Sequence, residues 1–284
     1  MATPQSPTVR RRRLGHELRE LRERAGLTLD EAAAQLEDIS AAKISRIETA
    51  KVSVRPRDVE ALLDVYGLHD TQRRANLVTL TRESRQRGWW EQFSDAMSPL
   101  QDLHIGLEAE AVSIRMFSTQ VINGLLQTEA YAREVLKTIW TSDPPVRIER
   151  RVQFRMARQK ILERQDGPQI RCILEEKVLD RPVGSYEILR AQLRRLVDLA
   201  DLPNVTIRVL PHSIGAHPGI DGSFWIVDLA PPDPSVVYVE YRAGGAYMEH
   251  EEEVNLYSDI FMRLEDAAMT AEQSLELIRE LWGK

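Results

Sequence analysis

The sequence predicts two folded units: a mainly α N-terminal unit of five short helices, and an α+β C-terminal unit built on a small sheet of about four strands. Three observations carry this. Apolar residues recur at helical spacing, with capping residues between them, through the first 87 positions. From Gln169 onward the period shifts to short β-branched and aromatic runs separated by Pro and Gly. The charge also divides: the chain carries 38 Lys+Arg against 44 Asp+Glu, but residues 1–87 hold 17 against 13, a net of +4, leaving 21 against 31, or −10, for residues 88–284.

With 284 residues, 43% hydrophobic and 29% charged, the composition is that of a globular protein and excludes disordered, collagen-like and mucin-like chains. The single cysteine, Cys172, has no intrachain partner and no His or Cys at metal-ligand spacing, so a reducing, cytoplasmic setting is expected. The basic run Arg10–Arg13 is followed by Leu14-Gly15-His16-Glu17, where a signal peptide needs an apolar stretch. Residues 116–128 are too short and too polar for a bilayer span. Neither export nor membrane contact is expected.

Taking the elements in order, residues 1–13 read as a basic arm, suited to phosphate or a minor groove or simply a charged tail. Leu14, Leu18, Leu21 and Ala25 put an apolar stripe on a helix over 13–25, stopped by Gly26. Thr28-Leu29-Asp30-Glu31 is a capping box opening a second, Ala-rich helix that runs to about Leu36. Ser40 caps a third, at about 40–49, whose Ile44 and Ile47 face the core while Ala41, Ala42, Lys43, Ser45 and Arg46 face outward. Pro56 opens a fourth helix closed by Gly67, and Asp70 caps a fifth that runs to about Arg85.

Two short helices joined by a turn, the second with small and basic residues on its outer face, form a helix-turn-helix pattern. The run Leu14-Gly15-x2-Leu18-Arg19-x-Leu21-Arg22-x3-Gly26-Leu27-Thr28, followed by Lys43-Ile44-Ser45-Arg46-Ile47-Glu48, resembles the phage-repressor-like (XRE) family. That resemblance implies double-stranded DNA as partner and a homodimer reading a two-fold site. It makes Ala41, Ala42, Lys43 and Arg46 the base-facing residues, Arg and Lys for guanine O6 and N7 and Ala for a thymine methyl. Thr28, Ser40, Ser45, Lys51, Arg55 and Arg57 are then placed to hold phosphates. Glu48 is expected to pair with Arg22 inside the domain, because an acid facing DNA is repelled. Leu29 stands where the family often has Gln, and the Leu36–Ile44 segment is one residue longer than usual and lacks the family's glycine.

The unit boundary is placed near residue 88, giving 14–87 for DNA binding and 88–284 for regulation or interaction. Beyond it, residues 102–116 have helical character, as do 129–139 and a strongly basic stretch over 147–164. The basic face of that stretch offers a second nucleic-acid surface, but reads more simply as solvated or paired within the domain, and equally suits an acidic partner protein. Trp89 is read as core. Strands are expected at 170–174, 205–210, 224–229 and 236–241, with helices at 185–200, 251–266 and 270–282, the last opened by a Thr270-x-x-Gln273 capping box.

Arg87-Gly88-Trp89-Trp90, Gly124-Leu125-Leu126-Gln127-Thr128, Arg181-Pro182-Val183-Gly184, Gly215-Ala216-His217-Pro218-Gly219 and Val237-Tyr238-Val239-Glu240 together resemble the antitoxin-like transcriptional regulators of the Scr1 type, with their DUF5753-like C-terminal domain. This resemblance implies transcription control and a small partner protein encoded nearby. The C-terminal domain would serve dimerisation, partner binding or ligand sensing. No cofactor, metal or catalytic residue is expected. The alternative is an enzyme targeted by its helix-turn-helix, with a site near His212, His217 and Asp221, although His217-Pro218-Gly219 reads more simply as a rigid turn. Cys172 alternates with apolar neighbours and is expected to be buried and inert.

Overall fold

The structure is a computed structural model and describes residues 7–84, 88–97, 99–231, 233–242 and 244–283. The chain divides into two compact units, residues 1–91 with 102–110, and residues 92–101 with 111–284.

In the first unit five helices follow in order: α1 (Pro7–Arg24), α2 (Leu29–Ala34), α3 (Ala41–Glu48), α4 (Pro56–Val65) and α5 (Thr71–Glu83). A further helix, α6 (Pro99–Glu110), leads into the first strand. The capping chemistry acts as its residue types require. The Thr28 hydroxyl accepts from the Glu31 N–H while the Glu31 carboxylate accepts from the Thr28 N–H, and Ser40 and Asp70 accept from the Lys43 and Arg73 N–H groups. Leu14, Leu18 and Leu21 of α1, Ile44 and Ile47 of α3, and Val59, Leu62 and Leu63 of α4 form one buried core. Each of these side chains contributes ~1.5–3 kcal/mol by leaving water.

One sequence expectation changes here. Helix α1 opens at Pro7 rather than near residue 13, so Arg10–Arg13 lie on a helix, with Arg10 buried. Pro7 suits a first helical turn, where an N–H has no intrahelical acceptor to lose. The first six residues of the proposed arm lie outside the described residues.

The second unit is an α+β fold on a six-stranded sheet, not one of about four strands. Its strands are β1 (Ala111–Ser118), β2 (Gln169–Glu175), β3 (Val205–Leu210), β4 (Phe224–Leu229), β5 (Val236–Tyr241) and β6 (Gly244–Met248). Between and after them come α7 (Glu129–Ile139), α8 (Pro145–Arg158), α9 (Lys177–Asp180), α10 (Tyr186–Ala200), α11 (Glu251–Ala267) and α12 (Ala271–Gly283). The order across the sheet is β3-β2-β1-β4-β5-β6, with β1, β2 and β3 parallel and the remaining pairings antiparallel.

The two strands that the sequence reading lacked fail for different reasons. Residues 111–116 were expected to continue a helix, but α6 stops at Glu110 and Ala111 begins β1, paired on both sides. No Gly or Pro marks that boundary, and sheet pairing overrides local helix propensity there. Strand β6 begins Gly244-Gly245, which local rules read as a turn. A Cβ on Gly245 would lie 2.4 Å from the Tyr238 ring, so glycine is required for that aromatic side chain to lie across the neighbouring strand.

The sheet packs Phe117, Ile173, Phe224, Ile226 and Val237 against Phe261 and Leu264 of α11. Away from that core, three glutamine side chains hold the segment 122–128. Gln127 donates to the Ile122 carbonyl at 2.6 Å, Gln159 to the Gly124 and Gln127 carbonyls, and Gln192 to the Leu126 carbonyl. The Gly124–Thr128 motif is therefore a backbone loop pinned by buried amides. The basic helix is also turned inward. Arg151 donates to Asp143 at 2.8 Å and stacks on Trp140 at 3.8 Å, while Arg155 donates to Gln127 at 2.7 Å. Of the two tryptophans, Trp90 is buried at 3% exposure and Trp89 is 42% exposed, the reverse of Trp89 as core.

Candidate nucleic-acid interface

Helices α2 and α3 are joined by residues 35–40, with Ile39 buried beneath the turn. On α3 the apolar side is fully covered, and the opposite side presents Ala42 and Arg46 to solvent with Ala41, Lys43 and Ser45 partly covered. Two contacts hold this helix. Arg22 of α1 grips Glu48 with two nearly parallel bonds of 2.8 and 2.9 Å, and its third donor goes to the Leu27 carbonyl at 2.8 Å. Both side chains are nearly buried, and the hydrogen bond that Arg22 donates to Glu48 raises the guanidinium above its ordinary pKa. Gly15 of α1 also lies against the last carbonyls of α3: a Cβ there would be 2.5 Å from the Glu48 oxygen. The glycine of the Leu14-Gly15 motif thus marks a close helix approach.

The residues expected to face bases do not stand alike. Arg46 is exposed, and among the described residues its side chain donates only to the Ala42 carbonyl, at 3.3 Å. Lys43 is committed to Asp58 of α4 at 2.9 Å. Asp58 is only 8% exposed; burial pushes its carboxyl up, but hydrogen bonds from Lys43 and Arg57 outweigh this and hold it below its ordinary range. Among the residues expected to hold phosphates, Thr28 uses its hydroxyl in both directions within the capping box, and Arg57 donates to Asp58 at 3.3 Å. Ser40 keeps its hydroxyl proton, and Ser45, Lys51 and Arg55 are left without side-chain partners among the described residues. The Glu48–Arg22 pairing read from the sequence is present.

In the second unit, His212 and His217 line a common cavity with Glu175 and Glu176, while Asp221 is exposed and outside it. The three residues of the enzyme alternative do not converge. Cys172 is buried, and burial pushes its thiol up to about 12, far from the thiolate range. Among the described residues no helix is long and apolar enough to cross a membrane.

This arrangement of five helices, the second and third joined by a capped turn, defines the first unit as a helix-turn-helix DNA-binding domain, and the chain as a DNA-binding regulator. The helix-turn-helix domain family matches over residues 13–76. The domain of unknown function DUF5753 matches over residues 101–280, more than half of the chain, and the protein belongs to that family. No curated protein and no solved structure matches the chain.

Proposed function

We propose that this protein is a sequence-specific transcriptional regulator of the XRE type, binding double-stranded DNA as a homodimer with α3 in the major groove. The observation that carries the reading is the outer face of α3, where Arg46 stands exposed beside Ala41 and Ala42. Arg46 is the principal base-reading residue, with the two alanines free to meet thymine methyl groups. Lys43 contributes less, because reaching a base means leaving a partly buried Asp58. Ser40, Ser45, Lys51 and Arg55 hold phosphates; Thr28 and Arg57 shape the rim of the surface. The second unit supplies regulation, by dimerisation, by a small partner protein of the antitoxin-like kind or by an effector ligand.

Mapping of bound DNA across the genome, followed by footprinting of a recovered site, tests this. The expected result is a two-fold symmetric footprint with half-sites about 34–36 Å apart or a multiple of that. Arg46→Ala should relax the sequence at one position of each half-site. A footprint unchanged in sequence and affinity in that variant removes the assignment.

A further inference from the structure

The segment joining β3 to β4, residues 211–223, leaves one edge of the sheet and crosses the carboxyl ends of β2 and β1 to reach β4 on the far side. The parallel part of the sheet ends and the antiparallel part begins at β1. In open sheets, ligands settle outside the carboxyl ends of the strands at such a switch in order. A cavity of about 190 Å³ lies beside that switch, at the carboxyl ends of β2 and β3, and is bounded by those strand ends and the crossing segment. It is smaller than the ~300–1,000 Å³ of sites for drug-sized molecules, which limits its occupant to a small metabolite.

Its polar wall is led by two carboxylates. Glu175 uses one carboxylate oxygen to hold His217 Nε2 at 3.0 Å, and Glu176 uses one to accept the His212 N–H at 2.8 Å. The other oxygen of each carboxylate takes no hydrogen bond among the described residues. The His217 side chain is only 8% exposed and meets the Phe117 ring edge-on at 5.7 Å. A carboxylate can only accept, so Nε2 donates to Glu175, and in the neutral form of the ring Nδ1 carries the lone pair. That Nδ1 is buried and has no partner among the described residues. A buried acceptor left unmet is unfavourable, and what it lacks is a donor.

Two further features narrow the donor. Among the described residues no three His, Cys, Asp or Glu side chains are grouped to hold a metal ion. The apolar wall includes Leu210, and Ile214 and Ile220 stand at 42% and 68% exposure. Lys177 is the one cation of the lining and is itself exposed, which leaves the cavity one negative charge in excess when its histidines are neutral. We propose that this cleft binds a small protonated amine with an aliphatic body, its ammonium facing Glu175, Glu176 and His217 and its carbon chain covering Ile214 and Ile220. As an effector site for DNA binding this rests on the function proposed above; the binding itself does not.

The test uses the full chain and two probes of equal shape and opposite charge, isopentylamine and isovalerate, with zinc chloride as a third. Thermal melting and chemical-shift titration should show a saturable rise and specific shifts with isopentylamine alone. The double variant Glu175→Gln/Glu176→Gln should lose the response. Ile214→Ser/Ile220→Ser, which changes only exposed side chains, should weaken binding about tenfold, the value of roughly two buried methylenes. Absence of a response to the amine overturns the proposal, as does an equal response to isovalerate, or a larger response to zinc that the glutamine variant loses. Gel shifts on the same samples separate the two readings. Failure of the wild type to bind DNA both with and without the amine counts against the regulator; a melting response with unchanged DNA affinity counts only against coupling.

Discussion

Each unit contains a carboxylate paired with a nearly buried basic side chain, and the two pairs are finished differently. Arg22 and Glu48 are joined by two bonds, and a further guanidinium N–H reaches a backbone carbonyl. Glu175 and His217 share one bond, and the other ring nitrogen is left unmet beside a cavity. A completed pair fixes the relative position of two helices and offers nothing to a ligand. An incomplete one beside open space can gain from a ligand that supplies the missing donor. The contrast fits the two proposals: DNA contact on the first unit's outer surface, and a small amine in the second unit's cleft.

The sharpest way to break the comparison is to unmake each pair. Arg22→Met strands a buried carboxylate and should cost about 3–5 kcal/mol, read by denaturant unfolding of the full chain; adding Glu48→Leu should restore much of the loss. His217→Gln leaves Glu175 in contact with water and should cost no more than ~1–2 kcal/mol while abolishing the amine response. If both variants cost the same, the distinction drawn here fails. Gly15→Ala forces α1 away from α3 and should cost about 1–3 kcal/mol, with DNA affinity falling alongside the melting temperature. Arg46→Ala should lose about 1–3 kcal/mol of discrimination at its base with melting unchanged, so the two variants separate folding from reading.

A smaller effect concerns pH. The Asp58 carboxyl titrates lower in the folded chain than its ordinary 3.8. The stability linked to this shift is fully present above that value and is lost as the pH falls through the lowered folded value. The advantage of wild type over Lys43→Met in urea melts should therefore persist at neutral pH and shrink as the solution is taken below the ordinary carboxylate range. The smallest change expected is a gain. Ala50 ends α3 with a φ of +56°, and Ala50→Gly should raise stability by about 1 kcal/mol in the same melts.

Capping chemistry acts over three or four residues, which is why Thr28, Ser40, Asp70, Ser185 and Thr270 mark helix starts both in the sequence and in the fold. Strands β2 to β5 were equally plain, because each is a short apolar run between turn residues. Strand β1 is plain only through its neighbours: nothing within residues 102–118 says where α6 yields to it. The outer face of α3 was readable as a set of residue types, but not which of them would be occupied. That Lys43 is held by Asp58 depends on a contact across 15 positions, and the Thr28 hydroxyl proton on its partner's rotamer. The cleft joins Glu175 to His217 across 42 positions, and only the crossing of the sheet brings them together.

The contact at Gly15 has a mechanical consequence. With no side chain between α1 and the closing carbonyls of α3, and with Arg22 clamping Glu48 beside it, the two helices form one stiff bracket. Whatever grips α1 carries α3, and with it the proposed DNA-reading face. In a pair of such chains, the span between two α1 grips would act as a ruler for operator spacing, and lengthening it would shift the preferred gap without altering a single base contact.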